Sequence, residues 1–297
     1  MPEQSPVQPG LAALTRPLDS LSGRHVLVTG GSRGIGRACA EAALAAGARV
    51  VIAGRDADRL GGVEAELREE YGDAVTASPV DVGDAVAVAG LVRLAVGVLG
   101  RLDGVVHAAG VAGPVGPSVE QSPEAWWEAV RVNLLGTFLV VREAARSMAP
   151  GGRMVALSGG GATGPFPNFS AYGASKAAVV RLVETLAYEW AGVIEINALA
   201  PGFVATDMHQ ATLAAGDAAG PEYLARTRRE LASGGVPAEL AGRASVFLLS
   251  DRAAGITGRL LAAPWDEWWL WPERRLDIAA SDLYTLRRIV PADRGER

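Results

Sequence analysis

The stretch Thr29-Gly30-Gly31-Ser32-Arg33-Gly34-Ile35-Gly36 constrains this chain more than any other part of it. It follows the apolar run His25-Val26-Leu27-Val28 and precedes the Ala-rich run Arg37-Ala38-Cys39-Ala40-Glu41-Ala42-Ala43-Leu44. The order is therefore strand, glycine turn, helix. Small residues in such a turn let a backbone approach a pyrophosphate, and the helix N-terminus offers free N–H groups to it. A glycine cluster without these flanks would be only a turn; with them, it predicts a dinucleotide-phosphate site.

The rest of the chain repeats that unit. Apolar runs recur at intervals of roughly 25–50 residues with helical patterns between them, as expected for a parallel sheet covered on both faces. Strands are expected near 25–29, 49–54, 75–80, 103–108, 153–158, 194–199 and 258–262. Helices are expected near 34–46, 57–71, 84–99, 123–149, 172–192 and 238–249. The fold class is α/β: a doubly wound parallel sheet, or Rossmann fold, in a single domain over 24–263. Residues 1–23 read as an irregular N-terminal arm and 264–297 as a Trp-rich C-terminal extension. Residues 207–236, rich in Ala and Gly, read equally as a mobile lid or as two surface helices.

Tyr172 and Lys176 lie four apart in Ser170-Ala171-Tyr172-Gly173-Ala174-Ser175-Lys176. On a helix both project from one face. A free tyrosine titrates near ~10 and is a poor base at neutral pH. An ammonium one turn away favours the tyrosinate, so the pair is expected to move a proton to or from an oxygen.

In this order, the glycine motif and the Tyr/Lys pair resemble the short-chain dehydrogenase/reductase family, from about Arg24 to Leu261. The resemblance implies hydride transfer between a nicotinamide and a ketone or secondary alcohol, with Tyr172 as acid/base and Lys176 beside it binding the ribose. It implies that Asn133 supports a proton path, and that Ser158, at the fifth strand end, polarises the carbonyl. The family often has two hydroxyl residues there, whereas this chain has Ser158-Gly159; Thr163 and Ser170 are further candidates. Asp81-Val82 is expected to touch adenine, with Asp81 as a helix cap the alternative. Ala108, Ala109 and Gly110 let the backbone pass beside the cofactor. His107 replaces the family's asparagine and reads as structural. Pro201, Gly202, Val204 and Thr206 are expected to cradle the nicotinamide.

Gly30, Ser32, Gly34, Ile35 and Gly36 form the expected phosphate turn, and cofactor choice is legible beside it. The second strand ends Ile52-Ala53-Gly54-Arg55-Asp56. A carboxylate at the strand end would select NAD; Arg55 there, with Arg33 in the turn, suits the 2′-phosphate of NADP. Asp56 keeps NAD open, because a one-residue shift would bring its carboxylate to the ribose.

Composition excludes other classes. A net charge of −5 offers nothing to nucleic acid or an anionic membrane. The single cysteine, Cys39, forbids an intrachain disulfide, and the three histidines are too far apart to suggest a metal site. No apolar stretch of ~18 residues exists, so no membrane span is expected, and a cytoplasmic location fits. The expected partners are a small carbonyl or alcohol substrate and further copies of the chain in a homodimer or homotetramer. Trp265, Trp268, Trp269 and Trp271 crowd into seven residues and must pack on the subunit, on a neighbour or over a ligand. Two other functions stay open: a nucleotide-binding regulator without turnover, and a nucleotide-sugar epimerase or dehydratase.

Overall fold

Near-continuous Val, Ile and Ala runs make strands that are buried on both faces, which requires helices on both sides. The computed structural model describes residues 8–294. Seven strands run in chain order: β1 (His25–Thr29), β2 (Arg49–Gly54), β3 (Val75–Pro79), β4 (Gly104–His107), β5 (Gly152–Leu157), β6 (Ile194–Ala200) and β7 (Leu260–Ala262). They form one parallel sheet in the order β3-β2-β1-β4-β5-β6-β7. Strand order reverses between β1 and β4, and a crevice opens there at the carboxyl ends of the strands.

The pleat sends alternate residues to opposite cores. Val26, Val28, Val50, Ile52, Val106 and Val155 pack with α1 (Gly34–Ala45), α2 (Ala57–Tyr71) and α9 (Ala238–Leu249). Leu27, Val51, Val105, Met154 and Ile196 pack with α3 (Ala85–Leu99), α5 (Gly136–Ala145) and α6 (Ser170–Glu189). Small side chains set the closest approach. A Cβ on Gly242 would lie 2.6 Å from the Ala38 carbonyl, so α9 meets α1 nearly backbone to backbone.

Expected and observed elements agree within a few residues, with two differences of substance. The long helix expected over 123–149 is α4 (Pro123–Val130) and α5 joined by a π-helical turn at Arg131–Leu135. Such single-turn widenings concentrate at functional sites. Residues 9–15, expected to be irregular, form a 3-10 helix whose Ala13 is buried. Arg243 of α9 donates to the Arg16 carbonyl, and the Arg16 guanidinium lies 4.8 Å over the Trp269 ring. Residues 1–7 of the arm lie outside the described residues.

The tryptophans divide between two tasks. Trp268, Trp269 and Trp271 are buried in the core beside Phe247 of α9, with Trp268 at 5.3 Å ring to ring. Trp265 stays partly open to a cavity. Beyond α10 (Arg275–Ala279) the chain returns to the sheet edge: the Tyr284 carbonyl accepts from Leu260 of β7, and Glu184 of α6 accepts from the Leu286 amide. Residues 207–236 include α7 (Gln210–Ala215) and α8 (Pro221–Ser233), the helical reading of that segment. Among the described residues no helix is long and apolar enough to cross a membrane, and no cluster of His, Cys, Asp and Glu could hold a metal. Cys39 is buried, and burial pushes its thiol up to about 12, consistent with a structural role.

Candidate active site

The crevice at the strand reversal holds a cleft of about 850 Å³, lined by Gly30, Ser32, Arg33, Gly34, Ile35 and Gly36 on one side and Ala108, Ala109 and Gly110 on the other. Glycine is required at specific points of this lining. Gly30 has φ +71°, and a Cβ there would lie 2.8 Å from the Ala109 nitrogen. Gly34 has φ +53° and faces the Thr206 methyl at 3.0 Å. The turn thus leaves a bare backbone and the start of α1 facing an elongated cleft, a fit for a dinucleotide diphosphate. A bound nicotinamide cofactor would supply the hydride chemistry there.

Three arginines, Arg33, Arg55 and Arg59, rim the β2 end of this cleft. Asp56 also lines the cleft and caps α2 through one oxygen, which accepts from the Arg59 amide at 3.0 Å. Arg55 is exposed and makes no hydrogen bond or ion pair among the described residues. Arg33 pairs at 2.9 Å with Asp207, which also lies 3.5 Å from Arg59. Arg59 and Asp207 carried no motif in the sequence; only folding brings residues 33, 59 and 207 together. Asp81 caps nothing and does not line the cleft. It accepts from the Gly83 amide at 2.9 Å and from Arg131 at 3.0 Å, which together hold its carboxyl below the usual range. Its neighbour Val82 lines the cleft.

A second cavity of about 480 Å³ adjoins the first and shares Ile35, Ala108, Gly110, Ala112 and Thr206 with it. Tyr172 and Lys176, one turn apart on α6, line this second cavity. Lys176 is buried, its Nζ donates to the Leu157 carbonyl at 2.8 Å, and it lies 5.8 Å from the Tyr172 ring centroid. Burial lowers the ammonium to about 8, so it remains mostly charged at neutral pH. The expected lowering of the phenol does not appear. Burial first, and the Tyr223 phenol second, hold Tyr172 well above the ordinary tyrosine range. The side chain is a neutral O–H donor in this state, an acid rather than a base.

Asn133 sits fully buried in the π turn. Its Oδ1 accepts from the Val111 amide at 2.8 Å, and its Nδ2 donates to the Val111 carbonyl at 2.9 Å and to Ser175 Oγ at 3.0 Å. It ties the strand-four loop to the helix that carries Tyr172 and Lys176. Gly110 passes between them: a Cβ there would lie 3.2 Å from Asn133 Oδ1 and 3.6 Å from Lys176 Nζ. His107 is buried with Nδ1 bonded to Thr29 Oγ1 at 2.9 Å; burial first, then Lys176, lower its pKa to about 3, so it stays neutral, as a structural residue should.

Ser158 lines the same cavity as Tyr172 and Lys176. Its Oγ is buried and makes no hydrogen bond among the described residues. The residue against the phenol is Gly159: a Cβ there would overlap the phenol oxygen and lie 3.1 Å from Cζ. Of the other candidates, Ser170 accepts from Trp126 Nε1 and donates to Gln121, away from the phenol, whereas Thr163 lines the cavity. Pro201, Gly202, Val204 and Thr206 also line the cavity, with Gly202 at φ +81°.

Comparisons with known proteins agree with this geometry. A family model described as enoyl-(acyl carrier protein) reductase matches residues 30–263. An inactive 2-(S)-hydroxypropyl-CoM dehydrogenase 2 of Xanthobacter autotrophicus is 37% identical over 75% of this chain and 96% of its own length. A D-threitol dehydrogenase of Mycolicibacterium smegmatis is 36% identical over 80% of this chain and 90% of its own. A short-chain dehydrogenase of Burkholderia cenocepacia, solved in complex with NADP, superimposes with TM-score 0.72 at 30% identity, covering 82% of this chain and 97% of that one. With the Rossmann sheet, the glycine cradle and the Tyr172/Lys176 pair in place, the chain belongs to the short-chain dehydrogenase/reductase family and is a dehydrogenase/reductase acting on alcohol and carbonyl groups.

Proposed function

We propose that this protein is an NADP(H)-dependent oxidoreductase that interconverts a ketone and a secondary alcohol, with Tyr172 as the proton donor. One observation carries the reading: Tyr172 and Lys176 line the substrate-sized cavity where it joins the dinucleotide cleft. In the reducing direction the Tyr172 O–H donates to the carbonyl oxygen as negative charge grows there. The Lys176 ammonium offsets the tyrosinate left behind, and its remaining N–H groups are free to bind ribose hydroxyls. Asn133 holds the loop at Val111 and the helix at Ser175 in register, and so positions the pair. Ser158, which lines this cavity and whose Oγ has no partner within the protein, donates to the carbonyl oxygen beside Tyr172.

NADP over NAD is supported by Arg33, Arg55 and Arg59 at the β2 end of the cleft, where Asp56 caps α2 and Asp207 pairs with Arg33. A Tyr172→Phe variant tests the assignment. It should lower kcat at least ~10²-fold, the usual scale for general acid–base catalysis, while NADPH fluorescence titration shows retained binding. Near-normal turnover of a ketone by that variant rejects it.

A further inference from the structure

The cavity beside Tyr172 is apolar, aromatic and positively charged. Phe166 and Phe169 stack at 4.4 Å, and Tyr223 of α8 meets both edge-on at 4.9 Å. Phe166 in turn lies 6.3 Å from the Tyr172 ring, so this aromatic wall begins at the reacting phenol. At about 480 Å³ the cavity takes a ring-bearing small molecule.

Its charged lining is limited to two cations. Lys176 is already engaged with the Leu157 carbonyl. Arg226 stands one helical turn after Tyr223 on α8, so it continues the same wall outward. Among the described residues it makes no hydrogen bond, and its one ion-pair contact within 4 Å is Glu230, whose nearest oxygen is 3.9 Å away, too long for a hydrogen bond. No aspartate or glutamate lines the cavity. His209 adds no charge: burial lowers its pKa, and its Nε2 donates to the Val204 carbonyl at 3.1 Å. Arg226 is half exposed at the rim, and a cationic, carboxylate-free cavity in a chain of net charge −5 is a local reversal of sign.

Resting on the carbonyl-reducing reading above, we infer that the substrate is a ring-bearing carbonyl compound with an anionic group, its carbonyl at Tyr172, its ring on Phe166 and Tyr223, and its anion at Arg226. Arg226 is then a specificity determinant that binds the far end of the substrate and takes no part in proton transfer.

The test uses the full chain saturated with NADP and two probes of equal shape, 4-acetylbenzoate and 4-acetylbenzamide. Binding is measured by calorimetry, so the result does not depend on turnover. The wild type should bind the acid at least 10-fold more tightly than the amide. Arg226→Gln should remove that preference, whereas Arg229→Gln, the same charge change on α8 away from the cavity, should keep it. Equal binding of the two probes by the wild type overturns the inference. So does a preference that survives Arg226→Gln or is lost equally in Arg229→Gln. Should the acid bind as stated but no carbonyl compound oxidise NADPH, the anion site stands and the reaction assignment falls; reduction of acetophenone with no acid preference is the reverse case.

Discussion

Ser158 and Gly159 are adjacent in the lining of the cavity that holds Tyr172, and substitutions at the two probe different parts of the site. Ser158→Ala removes a hydroxyl that is buried without a partner in the protein. Such a group costs about 1–3 kcal/mol in a folded protein, and alanine keeps the Cβ. The substitution should therefore leave stability unchanged or raise it by up to roughly 2 kcal/mol, a shift of a few degrees in melting temperature for a domain of this size. A carbonyl-polarising donor contributes ~2.7–4 kcal/mol, so its loss should lower kcat by ~10²–10³. Gly159→Ala adds one methyl against the phenol oxygen. Gly159 is not in the left-handed region, so its backbone accepts alanine without strain. The phenol must withdraw by roughly 1 Å to regain van der Waals distance, and a misplacement of that size costs on the order of 10² in rate. Steady-state NADPH oxidation and calorimetric melting of both variants decide the matter. A folded Ser158→Ala protein at full rate rejects the polarising role of Ser158, and a Gly159→Ala protein at full rate would refute the geometry at the phenol.

Further predictions concern the cofactor, pH and tail. Arg55→Ala should weaken NADPH binding roughly 10- to 100-fold and NADH binding far less, since a charge-assisted hydrogen bond contributes ~1.5–3 kcal/mol; equal losses by fluorescence titration reject selectivity through Arg55. Asp207→Asn should tighten NADPH binding, because it frees Arg33 and Arg59 from a competing carboxylate; weaker binding sinks the idea. Lys176 has its pKa lowered to about 8, so its ammonium is lost as pH rises through that value. The reductive kcat/KM should accordingly fall about tenfold per unit above it, while Tyr172, shifted upward, stays protonated; a profile flat to pH 10 contradicts this. Trp271 is buried against Tyr284 at 4.4 Å, so Trp271→Ala should cost ~3–5 kcal/mol and lower the melting temperature by roughly 10 °C; an unchanged melting curve would make the tail an appendage.

The sheet, its helices and the phosphate turn were legible in the sequence because they rest on local rules. Near-continuous apolar runs mark strands buried on both faces, and the glycines at Gly30 and Gly34 mark backbone that larger residues rarely adopt and where a Cβ would crowd its neighbours. The Tyr172/Lys176 pair was legible for the same reason, since four residues on one helix are neighbours whatever the tertiary structure. What lay beyond the sequence depends on contacts between distant segments. Arg33 and Asp207 are 174 positions apart, and their pairing is a product of topology. That a glycine at 159 stands against the phenol depends on how the loop after β5 meets α6. The phenol's upward shift comes from burial, which sequence proximity to a lysine does not reveal. The aromatic wall and Arg226 come from a helix that crosses over the cavity some fifty residues after Tyr172. Charge, spacing and periodicity thus determined the scaffold and the proton-transfer pair. Only tertiary structure decided which residue meets the phenol, which arginines meet the cofactor cleft and what sign of charge the substrate cavity presents.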